Sequence, residues 1–367
     1  MASNRLPLIT VRGGPYERGV QHGSQCGDLI RQYQDVLLRT VAQEASWRAL
    51  DASRQLTRDD LLARAMAFLP QMEAFAPHLV EEVRGIADGV KVEFAEALLV
   101  NVSAEVMGVT SIGIGGIPIG AGIDACTAFG LGRTATYSRS IMSGQNLDEN
   151  PLNQDLQIVL KVEPDDGPAM LMCTFAVLVG YPGINEHGIS FFQNALSTSF
   201  WMETGIPHYF LKRVLLEQTT LGDCLDVIAN APVCSSANYV LTDEHEILNV
   251  ELTPDDYAVG VAENDLVVHT NQFFCPTFAL DDRLLPNMPD SVERAVRLTD
   301  RINSRLSIIT LDDMKLFLSD HDGYPTGICR HDELMVTISS IIAEPAQGRM
   351  HIALGNPCTS EYVTYSL

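Results

Sequence analysis

The hydrophobic pattern of this chain changes period once, near residue 125. Before that point "DLIRQYQDVLLRTVAQEASW", "TRDDLLARAMAFLPQMEAFAPHLVEEVRGIADGV" and "EFAEALLVNV" carry apolar residues three and four apart, the spacing of amphipathic helices. After it come short runs such as "LQIVLKVEP", "AMLMCTFAVLVG", "ANYVLTD", "EILNVEL" and "MVTISSIIAEP". These are rich in β-branched and aromatic residues and bounded by Gly, Asp, Asn and Pro. Two helical stretches interrupt them, "PHYFLKRVLLEQTTLGDCLDVIAN" and "SVERAVRLTDRINSRL". Runs of helix followed by runs of strand predict an α+β layered fold, not a parallel sheet built from βαβ units.

The junction between the two textures is the charge-free run from Val106 to Ile123. It is long enough to span a bilayer, but six glycines and Pro118 make it a poor helix, and it is expected to be a loop. Its "GIGGIPIG" has neither the Lys-Ser/Thr of a phosphate-binding loop nor the spacing of a dinucleotide fingerprint. The 47 acidic residues against 24 basic ones give a net charge of −23, which repels nucleic-acid backbones and anionic lipid. Nucleic acid and membrane are therefore excluded as partners. The N-terminus has no apolar secretory core, and the eight cysteines show no CxxC pair and no histidine partners at zinc spacing. The expectation is a reduced, cytoplasmic protein with no metal or organic cofactor and with most of its thiols in the core.

Immediately after the loop stands "GAGIDACTAFG", with Cys126 among small residues. A chemically useful thiol needs a base, an oxyanion donor and an orienting shell. No histidine sits in a recognisable cysteine-protease motif. A cut before Cys126 would supply another base, because a new α-amine has a pKa of about 7.7–8.0, close to that of a thiol.

These residues resemble the isopenicillin N acyltransferase (penicillin acyltransferase) family of N-terminal-nucleophile hydrolases, with more distant similarity to bile-salt hydrolases, penicillin V acylases and acid ceramidase. "DACT" stands where the family has Asp-Gly-Cys-Thr, and "GQNLD" (144–148) where it has Gly-Gln-Asn-aromatic-Asp. "GGPYERGVQHGS" and "EEVRGIADG" match its helical pro-segment, and "NAL", "VHTN", "PDSVERAVRL", "DGYPTGICR" and "GNPC" follow in the family order. The resemblance implies a four-layer αββα sandwich of two antiparallel sheets between helices. It also implies autocleavage between Ala125 and Cys126, giving a pro-segment of residues 1–125 and a chain of residues 126–367 that remain one folded unit.

Residue by residue, the resemblance makes Cys126 the nucleophile and Asp148 the carboxylate that holds the new α-amine. It makes Asn271 an oxyanion donor, Asn194 a second such donor, and Arg294 the arginine beside the nucleophile. Two positions depart from the pattern. Ala125 replaces the family's glycine before the cut, and Leu334 falls where the penicillin enzyme has an arginine that helps hold its substrate. The second departure counts against isopenicillin N as substrate. Three functions follow in order: an amidohydrolase acting on a small N-acyl compound, an acyl-CoA-dependent N-acyltransferase, and an uncleaved, non-catalytic binding protein on the same scaffold. No basic cluster suited to the CoA phosphate is visible, which places hydrolysis first. The partners expected are a small amide substrate and the chain's own two pieces; self-association into a homo-oligomer is left open.

Overall fold

The structure is a computed structural model that describes residues 5–48, 57–106 and 125–367. Of the run Val106 to Ile123, expected to be a loop, Val106 is helical and the rest lies outside the described residues. Among the described residues, fourteen strands form two sheets. The eight-stranded sheet runs β1 (Leu8–Gly13), β4 (Gln157–Pro164), β5 (Met170–Phe175), β6 (Gly183–Asn185), β7 (Ser190–Ala195), β8 (Ala237–Thr242), β9 (Ile247–Leu252), β10 (Tyr257–Val261). The six-stranded sheet runs β11 (Leu266–His269), β2 (Ala125–Leu131), β3 (Met142–Glu149), β12 (Val336–Glu344), β13 (Arg349–Leu354), β14 (Tyr362–Ser366).

Alternation along the strands builds the layers. Ala128 on β2, Val159, Phe192, Val240, Ile341 and Ile352 interlock between the sheets. Phe129 and Leu131, one residue out of step with Ala128, face the opposite way, onto two helices, α8 (Asp290–Asn303) and α9 (Leu311–Leu318). Helices α1 (Pro15–Arg48), α2 (Arg58–Met66), α3 (Leu69–Phe75), α4 (Pro77–Val90), α5 (Phe94–Asn101), α6 (His208–Leu216) and α7 (Leu221–Ala229) contribute to the largest core, on the outer face of the eight-stranded sheet. The result is the αββα sandwich. Among the described residues no helix is long and apolar enough to cross a membrane.

Several details differ from the sequence reading. Residues 1–105 are not all helical, because Leu8–Gly13 forms β1 and pairs in parallel with β4. The sheets are thus antiparallel except at that edge. The stretch 57–90 divides into three helices at Phe68 and Ala76, with Pro70 and Pro77 near the new starts, where a missing N–H costs nothing. Stretch 207–230 breaks into α6 and α7, whose N-cap Thr220 accepts from the Asp223 N–H. Helix α9 and strands β10 and β14 were not anticipated.

Residues before and after Ala125 interpenetrate. Helices α1 and α4 touch backbone to backbone: a Cβ on Gly19 would stand 2.0 Å from the Glu82 carbonyl oxygen, and one on Gly85 2.2 Å from that of Tyr16. This close approach accounts for the glycines four apart in "GVQHG" and "GIADG". Glu82 is fully buried between Arg18 of α1 (2.9 Å) and Arg213 of α6 (3.3 Å). Asn101 spans the same divide, donating to the Val177 carbonyl (3.1 Å) and accepting from the Val179 N–H (3.0 Å). Removing Glu82 would leave buried Arg18 without its counter-charge and Arg213 with Glu217 as its remaining carboxylate, a loss of about 3–5 kcal/mol in comparable sites.

Candidate active site

Cys126 is the second residue of β2, and its side chain shares the inter-sheet face with Ala128. It is fully buried. On that face the Gln145 amide of β3 donates to its sulfur at 3.8 Å, and Gln145 is itself fixed by accepting the Gln193 N–H of β7 at 2.8 Å. Gln145 lies inside the "GQNLD" stretch but was not singled out from the sequence. Its signal was available in principle: a glutamine on a strand facing an apolar inter-sheet layer needs a specific partner.

The backbone of Cys126 is held at both its N–H and its carbonyl. Its N–H donates to Asn271 Oδ1 at 2.9 Å. Its carbonyl accepts from Asn194 Nδ2 (3.0 Å) and from an Arg294 terminal nitrogen (2.9 Å). The other terminal nitrogen of Arg294 donates to Asn271 Oδ1 at 3.0 Å, so that oxygen receives two donors and the orientation of the amide is fixed. Asn271 Nδ2 donates to the Ala195 carbonyl at 3.1 Å. Asn194 also donates to the His269 carbonyl and accepts from Asn238 Nδ2 on the neighbouring strand.

Local structure explains why each group arrives. Arg294 belongs to the buried stripe Ser291, Arg294, Ala295, Leu298, Ile302 of α8, a helical spacing that turns it onto the six-stranded sheet. Asp290 Oδ2 neutralises it at 2.9 Å and binds Arg330 at 2.8 Å. Asn271 follows β11 and is pinned when its N–H donates to Ser291 Oγ (2.6 Å) at the start of the same helix.

Asp148 stands apart from this cluster. In the β2–β3 register it lies opposite Ala125, with Leu147 opposite Cys126, so alternation puts its carboxyl on the helix-facing side and the sulfur on the other. The carboxyl therefore faces away from the thiol. Oδ1 accepts from Thr337 Oγ1 at 2.6 Å, while Oδ2 is buried with no hydrogen-bond partner among the described residues. Burial lifts this carboxyl to about 6, against the opposing pull of the Arg294 and Arg330 charges and the Thr337 hydrogen bond.

The structure therefore joins Cys126, Asn194, Asn271 and Arg294 by direct hydrogen bonds and couples Asp148 to Arg294 only through charge. Arg294 sits at the carbonyl of Cys126, where the sequence reading had placed it beside the sulfur. Leu334 is 80% exposed in the turn before β12. Two other thiols depart from the core expectation: Cys329 and Cys358 lie beside His321 and His331.

The chain is similar to known proteins over most of its length. Residues 135–359 match the family model described as acyl-coenzyme A:6-aminopenicillanic acid acyl-transferase. Over 332 residues the chain is 25% identical to the 40 kDa form of acyl-coenzyme A:6-aminopenicillanic-acid-acyltransferase of Emericella nidulans, covering 88% of this chain and 84% of that protein. Among solved structures, a variant of conjugated bile acid hydrolase from Clostridium perfringens aligns with a TM-score of 0.45 at 15% identity, covering 66% of this chain and 97% of its own. Penicillin V acylase from Agrobacterium tumefaciens aligns with a TM-score of 0.45 at 11% identity, covering 66% and 86%.

Proposed function

As the chain belongs to the acyl-coenzyme A:6-aminopenicillanic acid acyl-transferase family, we propose that it is a self-processing cysteine hydrolase acting on the amide bond of a small N-acyl compound. One observation carries this reading. Side chains from three distant elements grip the N–H and C=O of residue 126. A thiol activated by a side-chain base needs its shell around the sulfur. A residue whose own nitrogen becomes the base needs that nitrogen positioned.

In the processing step, Cys126 Sγ attacks the Ala125 carbonyl carbon, the C–N bond breaks as the nitrogen takes a proton, and a thioester remains. Water hydrolyses the thioester, leaving a carboxylate on Ala125 and a thiol and α-amine on Cys126. Asp148, buried on the strand paired with that backbone and with a carboxyl oxygen that has no hydrogen-bond partner among the described residues, is suited to receive the resulting ammonium. The mature thiol then passes its proton to the α-amine and attacks the substrate carbonyl. The departing amine takes the proton back, and water resolves the second thioester. Release of the Asn271 amide from Ala195 would let its NH₂ meet the developing oxyanion.

Were an amine to resolve the thioester in place of water, the same site would transfer the acyl group, the activity named in the Emericella nidulans relative. The net charge of −23 and the lack of a basic cluster for a CoA phosphate favour hydrolysis. All eight cysteines are free, in keeping with a reducing, cytoplasmic setting.

Intact-mass spectrometry of the purified wild type beside Cys126→Ala tests the reading. Two masses split at Ala125–Cys126, reduced to one in the variant, are expected. One full-length mass in both would remove the α-amine from the chemistry and leave a binding protein as the better account.

A further inference from the structure

On the far side of Arg330 from Asp290, four metal-ligating side chains converge. His321, Cys329 and His331 come from the connection between α9 and β12, and Cys358 from the turn between β13 and β14. We propose that His321, Cys329, His331 and Cys358 form a tetrahedral site for a divalent cation, with zinc the ion that a two-sulfur, two-imidazole donor set selects. Neither the ligand set nor its test depends on the activity proposed above.

The donor-atom distances approach those of a metal polyhedron, with the two sulfur–nitrogen distances to His331 the nearest to it. His331 Nε2 lies 3.5 Å from Cys329 Sγ, 3.5 Å from Cys358 Sγ and 3.0 Å from His321 Nε2. All four donor atoms fall within 4.8 Å of one another. Zinc–sulfur and zinc–nitrogen bonds of about 2.3 and 2.0–2.1 Å give tetrahedral edges of about 3.6 Å between S and N and about 3.4 Å between two nitrogens. Hydrogen bonding alone serves this geometry poorly. A single proton on His331 Nε2 can satisfy only one of its three neighbours, whereas a cation accepts a lone pair from all four.

The surroundings are those of a prepared site. Asn356 Nδ2 donates to Cys329 Sγ at 3.5 Å and to the Arg330 carbonyl at 2.7 Å, and the Cys358 N–H also points at the Cys329 sulfur. Such donors orient a metal-bound thiolate. Cys329 is buried and His321 exposed, so the cluster has a solvent-side entrance. The primary sequence hides it: Cys-x-His at 329–331, a histidine eight residues earlier and a cysteine 27 residues later make no standard zinc pattern.

The position gives the ion a task. Arg330, held between two ligands, binds Asp290 at 2.8 Å, and its N–H donates to Thr337 Oγ1, which in turn donates to Asp148. A cation here would staple the C-terminal turn to the connection that supports both carboxylates near Cys126.

Elemental analysis of the full-length wild type, reconstituted with zinc and dialysed against metal-free buffer, tests the site, beside a cobalt-substituted sample. About one equivalent of zinc per chain is expected, and the cobalt form should show thiolate-to-metal charge transfer with tetrahedral d–d absorption. Cys358→Ser should abolish the charge transfer from that ligand and weaken zinc retention. His321→Ala, at an exposed position, should lower zinc affinity in chelator competition while the circular dichroism stays unchanged. A wild type that retains no zinc, or a cobalt spectrum without thiolate character, would overturn the proposal. So would a Cys329–Cys358 disulfide found by counting thiols in the denatured, unreduced chain.

Discussion

Cys126 and Cys329 are both buried thiols associated with the six-stranded sheet, and each has an asparagine for a neighbour. Around Cys126, two asparagines and a guanidinium hold the backbone and a glutamine amide donates to the sulfur. Around Cys329 stand two imidazoles and a second thiol, their donor atoms all within 4.8 Å of one another. On the two proposals made above, the same residue type is committed to different chemistry by its neighbours: a strand's first peptide held for cleavage in one case, a donor set gathered for coordination in the other. Arg330 and Asp290 lie between the two centres and link them.

The largest expected difference between the two thiols is catalytic. Cys126→Ala should lower amide turnover on the order of 10⁶-fold, as loss of a covalent nucleophile does elsewhere. Cys358→Ser, read in the same assay with a panel of N-acyl amides, should leave turnover measurable. Equal losses in both variants would erase the distinction drawn here. Next in size is Asn271→Ala, expected to slow processing or turnover about 10²–10³-fold, measured as the rate at which the two-chain form accumulates. No change would remove Asn271 from the chemistry.

The pH response of Asp148 sharpens the contrast from the stability side. In an uncleaved Cys126→Ala background the folded carboxyl holds its proton to about 6, while in the unfolded chain it titrates at its ordinary 3.8. Between those values the folded state binds more protons, so this group's contribution favours folding at low pH and fades as pH rises through 6. The difference amounts to roughly 3 kcal/mol. Urea unfolding at pH 4 and pH 7 should show a steeper decline for this chain than for the same chain carrying Asp148→Asn; identical slopes would mean the carboxyl is not so perturbed. The smallest effect belongs to Asn356→Ala, which should weaken zinc about 10–100-fold in chelator competition. Unchanged affinity would deny it a role at the metal.

Legibility in the sequence followed the range of each interaction. Strands such as β4, β5, β8 and β12 announced themselves through apolar and β-branched runs because they are buried on both faces, whereas β10 and β14, mostly exposed or half-buried, carried no such signal. Nor did strand β1, since its partner β4 lies some 150 residues away and nothing local marks a parallel edge. Helix α9 was missed although Thr310 and Asp313 form a capping box at its start, because the strand-like setting outweighed a short signal. At the site, Cys126, Asp148, Asn194, Asn271 and Arg294 were found only through family motifs, for they come from five separate segments. What those motifs could not convey was direction: that Asp148 faces the helices, that Arg294 meets a carbonyl, and that Gln145 is the amide at the sulfur.

The parallel pairing of β1 with β4 also bears on how this molecule ages. In the processed form proposed above, β1 and the helices that follow it belong to one polypeptide and β4 to another. Unfolding such a molecule separates two chains, and recovery requires them to meet again, so refolding yield becomes dependent on concentration. The fragment left behind would expose the hydrogen-bonding edge of β4, a template for pairing with other strands. A protein that folds as one chain and then cuts itself would hold its shape through the slowness of its unfolding more than through a reversible equilibrium.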